Sequence, residues 1–159
     1  MDKEGYYKQS YEIEWIHSIE IVNHDQIAVA TVNGFCLVNK RTGDIQRCAT
    51  FQEFYNKNTS AYIISMLFND DETVWLGTEG GGLSLYNMRT KEAKTLTARE
   101  GLPSDDVYSL QRDFRGRLWV STGKGLALIE NFQVSNLNYV GDIDKEYNKS
   151  SFAQLSDGR

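Results

Sequence analysis

The chain has 159 residues and a formal net charge of −5 at pH 7, and a chain of this length can form one domain with a sizeable core. The acidic balance gives no basic surface of the kind that binds nucleic acid, so no nucleic-acid partner is expected. The sequence has no apolar run of the roughly 18 residues that a transmembrane helix needs, which predicts no membrane segment.

Short apolar runs separated by polar turns make up the first part of the chain. The strands predicted there cover residues 16–22, 27–31, 35–39 and 44–50. Each run is bounded by turn residues, as expected for strands of an antiparallel sheet. Upstream, Tyr11, Ile13 and Trp15 share one parity, as they would on one face of a strand. Residues 1–15 are therefore interpreted as a linker or as the outer strand of a preceding blade.

The order of strand, polar turn, strand, Gly-rich turn and strand occurs twice more. The strands predicted in these two units cover residues 63–69, 74–78, 83–86, 107–112, 118–120 and 126–129. In the last unit Gly116 lies in a hairpin connection, where a residue free to adopt positive φ is required. Residues 51–60 and 99–106 are predicted to cross from one unit to the next.

The second and third units are copies of one sequence repeat. Trp75 aligns with Trp119 and Thr78 with Thr122, both at an offset of 44 residues, and a pair of glycines follows at an offset of 43. The first unit is a more divergent copy, in which Ala28 occupies the tryptophan position. Repeats of about 40–45 residues made of short strands are typical of the blades of a β-propeller.

The sequence therefore predicts an all-β fold: a β-propeller fragment of about three four-stranded antiparallel blades plus a partial fourth. The predicted blades cover residues 16–50, 61–98 and 107–140, and residues 151–159 are predicted as the first strand of a truncated blade. The last stretch would end at the tip of a hairpin, which is an unusual place for a protein to stop. We therefore expect the chain to be a piece of a larger propeller, because propellers usually need four or more blades to close.

The third unit carries a specific combination of motifs. These are Gly101-Leu-Pro-Ser104, Asp113, Gly116, Leu118-Trp-Val-Ser-Thr122 and Gly125-Leu126. The combination resembles the two-component regulator propeller repeat, whose pattern is a GLPS turn, a strand ending in Asp, a Gly turn, an LWxxT strand and a Gly-Leu strand. The second unit keeps the tryptophan strand without the GLPS turn, and the first unit lacks both.

The resemblance implies a function that composition and spacing do not show. Such repeats usually build the extracytoplasmic, periplasmic sensor region of a membrane-bound two-component histidine kinase, often a hybrid kinase of gut Bacteroidetes that detects glycans. The chain would then be a non-catalytic sensing domain that binds a small molecule or an oligosaccharide. Two alternatives remain open: a propeller enzyme of the lyase or hydrolase type, and a propeller scaffold for protein partners.

The residues themselves give little support for catalysis. His17 and His24 are the two histidines, and neither a Gly-x-Ser-x-Gly elbow nor a His-Glu-x-x-His motif is present. The Gly-rich turns have strands on both sides, whereas a phosphate-binding loop normally opens a helix. The acidic clusters at residues 70–72 and 105–106 are interpreted as solvated turns, with calcium binding as the alternative. We therefore predict no catalytic residue, no cofactor and no metal site, and we expect the carboxylate of Asp113 to accept backbone N–H bonds.

Trp75 and Trp119 are interpreted as packing residues between neighbouring blades, because a repeated position implies a role in the scaffold. Stacking on a sugar is the alternative.

The two cysteines, Cys36 and Cys48, leave two interpretations open. If Asn39 faces Ile45 across the predicted hairpin, the cysteines face each other and a cross-strand disulfide is feasible. The other interpretation is a pair of small half-buried hydrophobic side chains.

Ligand contacts in a propeller usually come from loops at one end of the channel. The corresponding loops join the second and third strands of a blade or cross between blades. The residues predicted from this position are Asn33, Tyr62, Glu79, Asp105 and Lys124. The exposed edges of an incomplete propeller also predict self-association with another copy of the chain.

Overall fold

The computed structural model describes residues 15–32, 34–50 and 62–137, which form twelve β-strands and one short 3-10 helix at Ala98–Glu100. The strands are β1 (Ile16–Ile21), β2 (Gln26–Thr31), β3 (Gly34–Asn39), β4 (Ile45–Thr50), β5 (Tyr62–Phe68), β6 (Thr73–Glu79), β7 (Leu83–Asn87), β8 (Ala93–Leu96), β9 (Val107–Arg112), β10 (Leu118–Thr122), β11 (Gly125–Glu130) and β12 (Gln133–Leu137). The predictions made for residues 1–14, for Asn33 and for residues 151–159 lie outside the described residues.

The strands form three four-stranded antiparallel sheets. The first sheet contains β1 to β4, the second β5 to β8 and the third β9 to β12, and in each sheet every strand pairs with its neighbour in sequence. Such a meander needs only short hairpin turns, which the polar and Gly-containing segments between the strands supply. The predicted fold class, all-β with about three four-stranded antiparallel blades, is confirmed.

One end of each sheet carries turns that are closed by an Asn or Asp side chain. Asn23, Asn39, Asp70, Asn87 and Asp113 each accept two backbone N–H bonds, at 2.8–3.0 Å, from residues two to four positions further along. These side chains replace hydrogen bonds that the backbone cannot make in a tight turn. The role predicted for Asp113 is confirmed. We call this end, which also carries the β11–β12 turn, the Asx end of a sheet.

The opposite end of each sheet carries the turn between its second and third strands. Thr31 and Thr122 end their strands, and Thr78 is the residue before the last of β6. Each threonine donates its hydroxyl to the carbonyl of the glycine that begins or precedes the third strand, at 3.1 Å for Thr31, 2.9 Å for Thr78 and 2.7 Å for Thr122. The threonine at this position therefore recurs in all three sheets because it closes the same turn. We call this end the Thr end.

The core lies between the sheets. The first inter-sheet core, between the first and second sheets, consists of Ala28, Ala30, Phe35, Leu37, Ala49, Ile63, Met66, Val74, Leu76 and Tyr86. The second inter-sheet core, between the second and third sheets, consists of Trp75, Leu83, Leu96, Leu102, Val107, Leu110, Leu118, Val120, Ala127 and Ile129. The second sheet therefore buries both faces, because successive side chains of a strand point to opposite sides.

The two repeated tryptophans lie in different surroundings. Trp75 is buried in the second inter-sheet core and its ring stacks on Phe132 of the third sheet at 5.7 Å between centroids, which confirms for this residue the predicted packing between blades. Trp119 is half-buried and alternates with Leu118 and Val120, so it points away from the second sheet. Its indole N–H donates to the carboxylate of Asp113 at 3.0 Å.

The disulfide interpretation is wrong. The β3–β4 hairpin pairs Val38, not Asn39, with Ile45, so Cys36 faces Arg47 and is a free cysteine. The physical reason lies in the turn, since the Asn39 side chain closes it and its backbone N–H bonds the carbonyl of Asp44 at 2.9 Å. A one-residue change of register moves every cross-strand partner.

Candidate ligand-binding cleft

A cleft of about 510 Å³ opens between the second and third sheets at their Asx ends. This volume is within the range of pockets that hold small molecules. Its floor is apolar and consists of Trp75, Leu85, Leu118, Ile129 and Phe132. Its rim is polar, so the cleft combines a hydrophobic surface with groups that can orient a ligand.

The β11–β12 turn places Phe132 over the floor. Asn131 and Phe132 are the two residues between the paired Glu130 and Gln133, and both have positive φ, 51° and 61°. Two successive left-handed residues form the turn that best matches the twist of a hairpin. The conformation is unfavourable for a phenylalanine by roughly 1–2 kcal/mol, and the stack on Trp75 offsets this cost.

Arginines from the β9–β10 segment dominate the rim. The guanidinium of Arg112 donates to Asn69 Oδ1 at 2.9 Å and to the carbonyl of Gly116 at 3.4 Å. The guanidinium of Arg115 lies over the ring of Phe114 at 5.4 Å. Arg117 donates to Asp113 at 2.7 Å. The bond between Arg112 and Asn69 joins residues from two different sheets and fixes the guanidinium at the mouth of the cleft.

The carboxylate of Asp113 stabilises the rim from behind. Partial burial acts to raise the pKa of this carboxyl, but hydrogen bonds from the Trp119 indole, the Arg117 guanidinium and the backbone N–H groups of Arg117 and Arg115 outweigh it. The pKa of Asp113 is therefore held well below its usual value of 3.8. The residue stays ionised at neutral pH and serves as a fixed acceptor, not as a proton donor.

The four predicted contact residues that the structure describes, Tyr62, Glu79, Asp105 and Lys124, lie at the Thr end, away from this cleft. Tyr62 pairs with Glu79 across β5 and β6, and both side chains are exposed. Asp105 lies beside the same turn: its backbone carbonyl accepts from Gly82 at 2.8 Å, and its carboxylate accepts from the N–H of Ala98 at 2.6 Å. The structure thus brings these three residues to one end of the second sheet.

Lys124 lies in the equivalent turn of the third sheet, between β10 and β11, and is exposed. In the third sheet, β9, β10 and β11 have five or six residues each, and they separate the Thr end from the Asx end by roughly 15–20 Å. The sequence reasoning therefore did not find the cleft. One signal was present: Arg112 stands 44 residues after Phe68, at the repeat offset of the tryptophans.

The remaining polar clusters have structural roles. The carboxylate of Asp70 is occupied by the backbone and hydroxyl of Thr73, by the backbone N–H of Glu72 and by the amide of Asn69. Across residues 15–32, 34–50 and 62–137, no group of three or more His, Cys, Asp and Glu side chains is placed to hold a metal ion. Within the same residues, no helix is long and apolar enough to cross a membrane.

Comparison with known proteins agrees with this geometry. Residues 101–124, which comprise the crossing into the third sheet, β9, the hairpin turn and β10, match the family model described as two component regulator propeller. Residues 101–124 therefore carry the pattern of that repeat. The resemblance inferred from the sequence motifs is thereby confirmed, and the three sheets are propeller blades. No curated protein matches the sequence.

Solved structures with a similar fold include extracellular domains of two-component systems. The extracellular domain described as hybrid two component system BT3049 from B. thetaiotaomicron is 22% identical, with a TM-score of 0.62 over 77% of this chain and 16% of that one. The corresponding domain of BT4673 from the same organism is 22% identical, with a TM-score of 0.64 over 90% of this chain and 19% of that one.

A third similar structure is PorZ, a surface component of the type-IX secretion system of Porphyromonas gingivalis. It is 20% identical, with a TM-score of 0.54 over 70% of this chain and 17% of that one. The chain therefore spans less than a fifth of the length of these proteins. At these identities the likeness shows the fold alone.

Proposed function

We propose that the chain is part of the extracytoplasmic, periplasmic sensor propeller of a two-component system and that it acts by binding a ligand. The observation that carries this proposal is the regulator propeller repeat at residues 101–124, placed in a blade that forms one wall of the inter-sheet cleft. Binding would favour one arrangement of packed blades over another and so pass the signal to a histidine kinase outside this chain.

The surroundings of the titratable groups support binding over catalysis. The side chain of His24 is 98% exposed, and its ring nitrogen lies 3.1 Å from the carboxylate of Asp25. Asp113, the carboxylate whose pKa is lowered most clearly, is held by turn donors. A general acid or base needs a pKa near the working pH and an open position beside a substrate. The lowered pKa of Asp113 does not suit that role, and His24 is not among the residues that line the cleft.

We further propose that the ligand is an oligosaccharide. The cleft supports this by its size, its aromatic floor and its ring of amide and charged groups, which suit a molecule that has both apolar faces and hydroxyls. The residues at the Thr end, namely Tyr62, Glu79, Asp105 and Lys124, are proposed as a second contact surface. Asn33, which lies outside the described residues, is proposed with them.

This proposal can be tested by measuring the binding of a panel of oligosaccharides to the chain by calorimetry. We expect at least one member of the panel to bind, and nuclear magnetic resonance to map the shifted amides to the cleft or to the Thr end. If no oligosaccharide of the panel bound, the proposal that the ligand is an oligosaccharide would be refuted. Turnover of a bound sugar would instead favour the enzymatic alternative.

The apolar face of the first sheet supports a further proposal, that the chain associates with itself. Ile19 and Ile21 of β1 are 60% and 73% exposed. The equivalent residues of the second sheet, Met66 and Phe68, pack against the first inter-sheet core. The face that carries the two isoleucines is therefore suited to cover another sheet of the same kind, and we propose that a second copy of the chain supplies it in solution.

A further inference from the structure

Arg112 occupies a position that is apolar in the preceding blade. In the second sheet the equivalent residue is Phe68, because Phe68 pairs with Val74 just as Arg112 pairs with Leu118. Phe68 packs against the first inter-sheet core. At the same point between the second and third sheets a guanidinium replaces the phenyl ring, and the cleft opens there.

The charge of Arg112 is not compensated by a nearby acid. Its guanidinium donates to two neutral oxygens, Asn69 Oδ1 and the carbonyl of Gly116. The ion pairs among the described residues are His24–Asp25, Arg89–Glu72 and Arg117–Asp113, and none includes Arg112 or Arg115. A half-buried guanidinium held by neutral acceptors keeps N–H donors and a full positive charge available to a ligand.

The rim as a whole is moderately cationic. Arg117 is neutralised by Asp113, which leaves Arg112 and Arg115 against the exposed carboxylate of Glu130. The charge on Arg112 lies next to the apolar floor, where electrostatic attraction is stronger than in open water.

We propose that the cleft binds the carboxylate of an acidic sugar, with Arg112 as the anchoring residue. This inference rests on the proposed sensing function and names the chemical class of its ligand. The planar fork of Arg112 pairs with two carboxylate oxygens at once, and Arg115 supplies a second positive charge. The sugar ring lies toward Phe132, and the amide of Asn131 is within the same rim to meet its hydroxyls.

A sugar acid fits better than an acidic protein segment. The cleft is an open depression of about 510 Å³, a size suited to one or two rings. A peptide strand would need a long groove or a free sheet edge, whereas this cleft is lined by side chains of two facing sheets and their turns.

The test uses the 159-residue chain and three probes: D-glucuronate, D-glucose and acetate. We expect glucuronate to shift the Nε–Hε resonance of Arg112, to bind at least about tenfold more tightly than glucose, and to bind more tightly than acetate, which lacks the ring. The affinity should fall as salt is raised. Arg112→Gln should lose at least about tenfold in affinity, and Arg112→Lys should lose less because the charge but not the fork remains.

Two further variants control for misfolding and for a non-specific charge effect, and a third tests the carboxylate that opposes the arginines. Arg112→Phe restores the residue type of the preceding blade, so it should keep the fold and still lose glucuronate binding. Arg89→Gln removes an exposed arginine that pairs with Glu72 outside the cleft, and it should bind like the parent chain. Glu130→Gln removes the opposing carboxylate and should tighten binding.

Equal affinities for glucuronate and glucose, or full binding by Arg112→Gln, would overturn this inference. Equal affinities for glucuronate and acetate would overturn its sugar component. If the Nε–Hε resonance of Arg112 did not shift at saturating glucuronate, the assignment of the binding site to the cleft would be overturned. The proposed sensing function would still stand in that case if a neutral oligosaccharide bound at the Thr end. If neither the three probes nor any oligosaccharide of the panel bound, both the acidic-sugar site and the proposed sensing function would be refuted.

Discussion

Asp113 shows how one carboxylate can organise a hairpin and the rim beside it. Its two oxygens accept from the backbone of Arg115 and Arg117, from the Arg117 side chain and from the Trp119 indole, at 2.7–3.0 Å. The side chain is 16% exposed, so these bonds replace most of the water that the carboxylate would otherwise bind. The ionised form is therefore the form that the folded chain stabilises.

Substitution Asp113→Asn should destabilise the chain in a pH-dependent way. Because the folded pKa is lowered, the contribution of the carboxylate is fully present above the usual value of 3.8 and is lost as the pH falls from there toward the folded pKa. Urea unfolding between pH 7 and pH 2 should thus show a lower midpoint for the variant at neutral pH and a shrinking difference below about pH 4.

Asp71→Asn, in an exposed part of the β5–β6 turn, provides the matched control and should unfold like the parent chain at every pH. A pH-independent difference between Asp113→Asn and the parent would contradict the assigned ionic role.

At the scale of single elements, the β6–β7 turn shows why two neighbouring glycines are not equivalent. Gly80 and Gly82 both have positive φ, 82° and 81°. A Cβ at Gly80 would meet no atom within 4 Å, whereas a Cβ at Gly82 would overlap the carbonyl oxygen of Leu96 in β8. The N–H of Gly82 also donates to Asp105 in the crossing to the third sheet.

Gly82→Ala should therefore lower the free energy of unfolding by about 3 kcal/mol or more, because it combines backbone strain with an overlap against main chain. Gly80→Ala should cost only about 1 kcal/mol, from the left-handed conformation alone. Chemical denaturation of both variants measures the difference, and similar losses would show that the overlap is relieved by a movement of β8.

At the scale of the whole molecule, stability comes from the contacts between sheets. Each sheet alone is a four-stranded meander with faces that need a neighbour, as in other repeat proteins. The second sheet makes both contacts, through the first inter-sheet core on one side and the second on the other. Substitutions in these cores should therefore cost more than equivalent ones on an outer face.

The variants Trp75→Ala and Trp119→Ala remove the same residue of the repeat from two different surroundings, one buried between two sheets and one half-buried. Trp75 is buried against the third sheet and stacked on Phe132, so its removal should cost about 3–5 kcal/mol of unfolding free energy. Trp119 is half-buried, so its removal should cost about 1–2 kcal/mol, including the lost bond to Asp113. Equal losses in urea titrations would contradict the inter-sheet role assigned to Trp75.

The proposed self-association belongs to the same scale. The double substitution of Ile19→Thr and Ile21→Thr keeps β-branched residues in β1 but removes apolar surface, so it should shift the chain toward monomer in sedimentation experiments. Phe114→Thr removes another exposed apolar side chain, 71% exposed and in a hairpin turn, and should leave the association unchanged. A monomeric parent chain across the accessible concentration range would refute the proposal.

The sequence by itself determined the strands, their order and the repeat. Alternation of side chains and the choice of turn residues are local properties, so segments such as residues 63–69 could be assigned from neighbouring residues alone. The repeat offset then placed Trp75 and Thr78 at equivalent points of the second and third blades. The function of the repeated threonine became clear only when its bond to the following glycine carbonyl was seen.

The tertiary structure decided register and site. The pairing of Cys36 with Arg47 depends on where the Asn39 turn closes, and one residue of difference changes the partner. The cleft depends on residues that are far apart in the chain, such as Asn69 and Arg112, which are 43 positions apart and meet through one hydrogen bond. Sequence patterns report on neighbours along the chain, whereas a binding site is defined by neighbours in space.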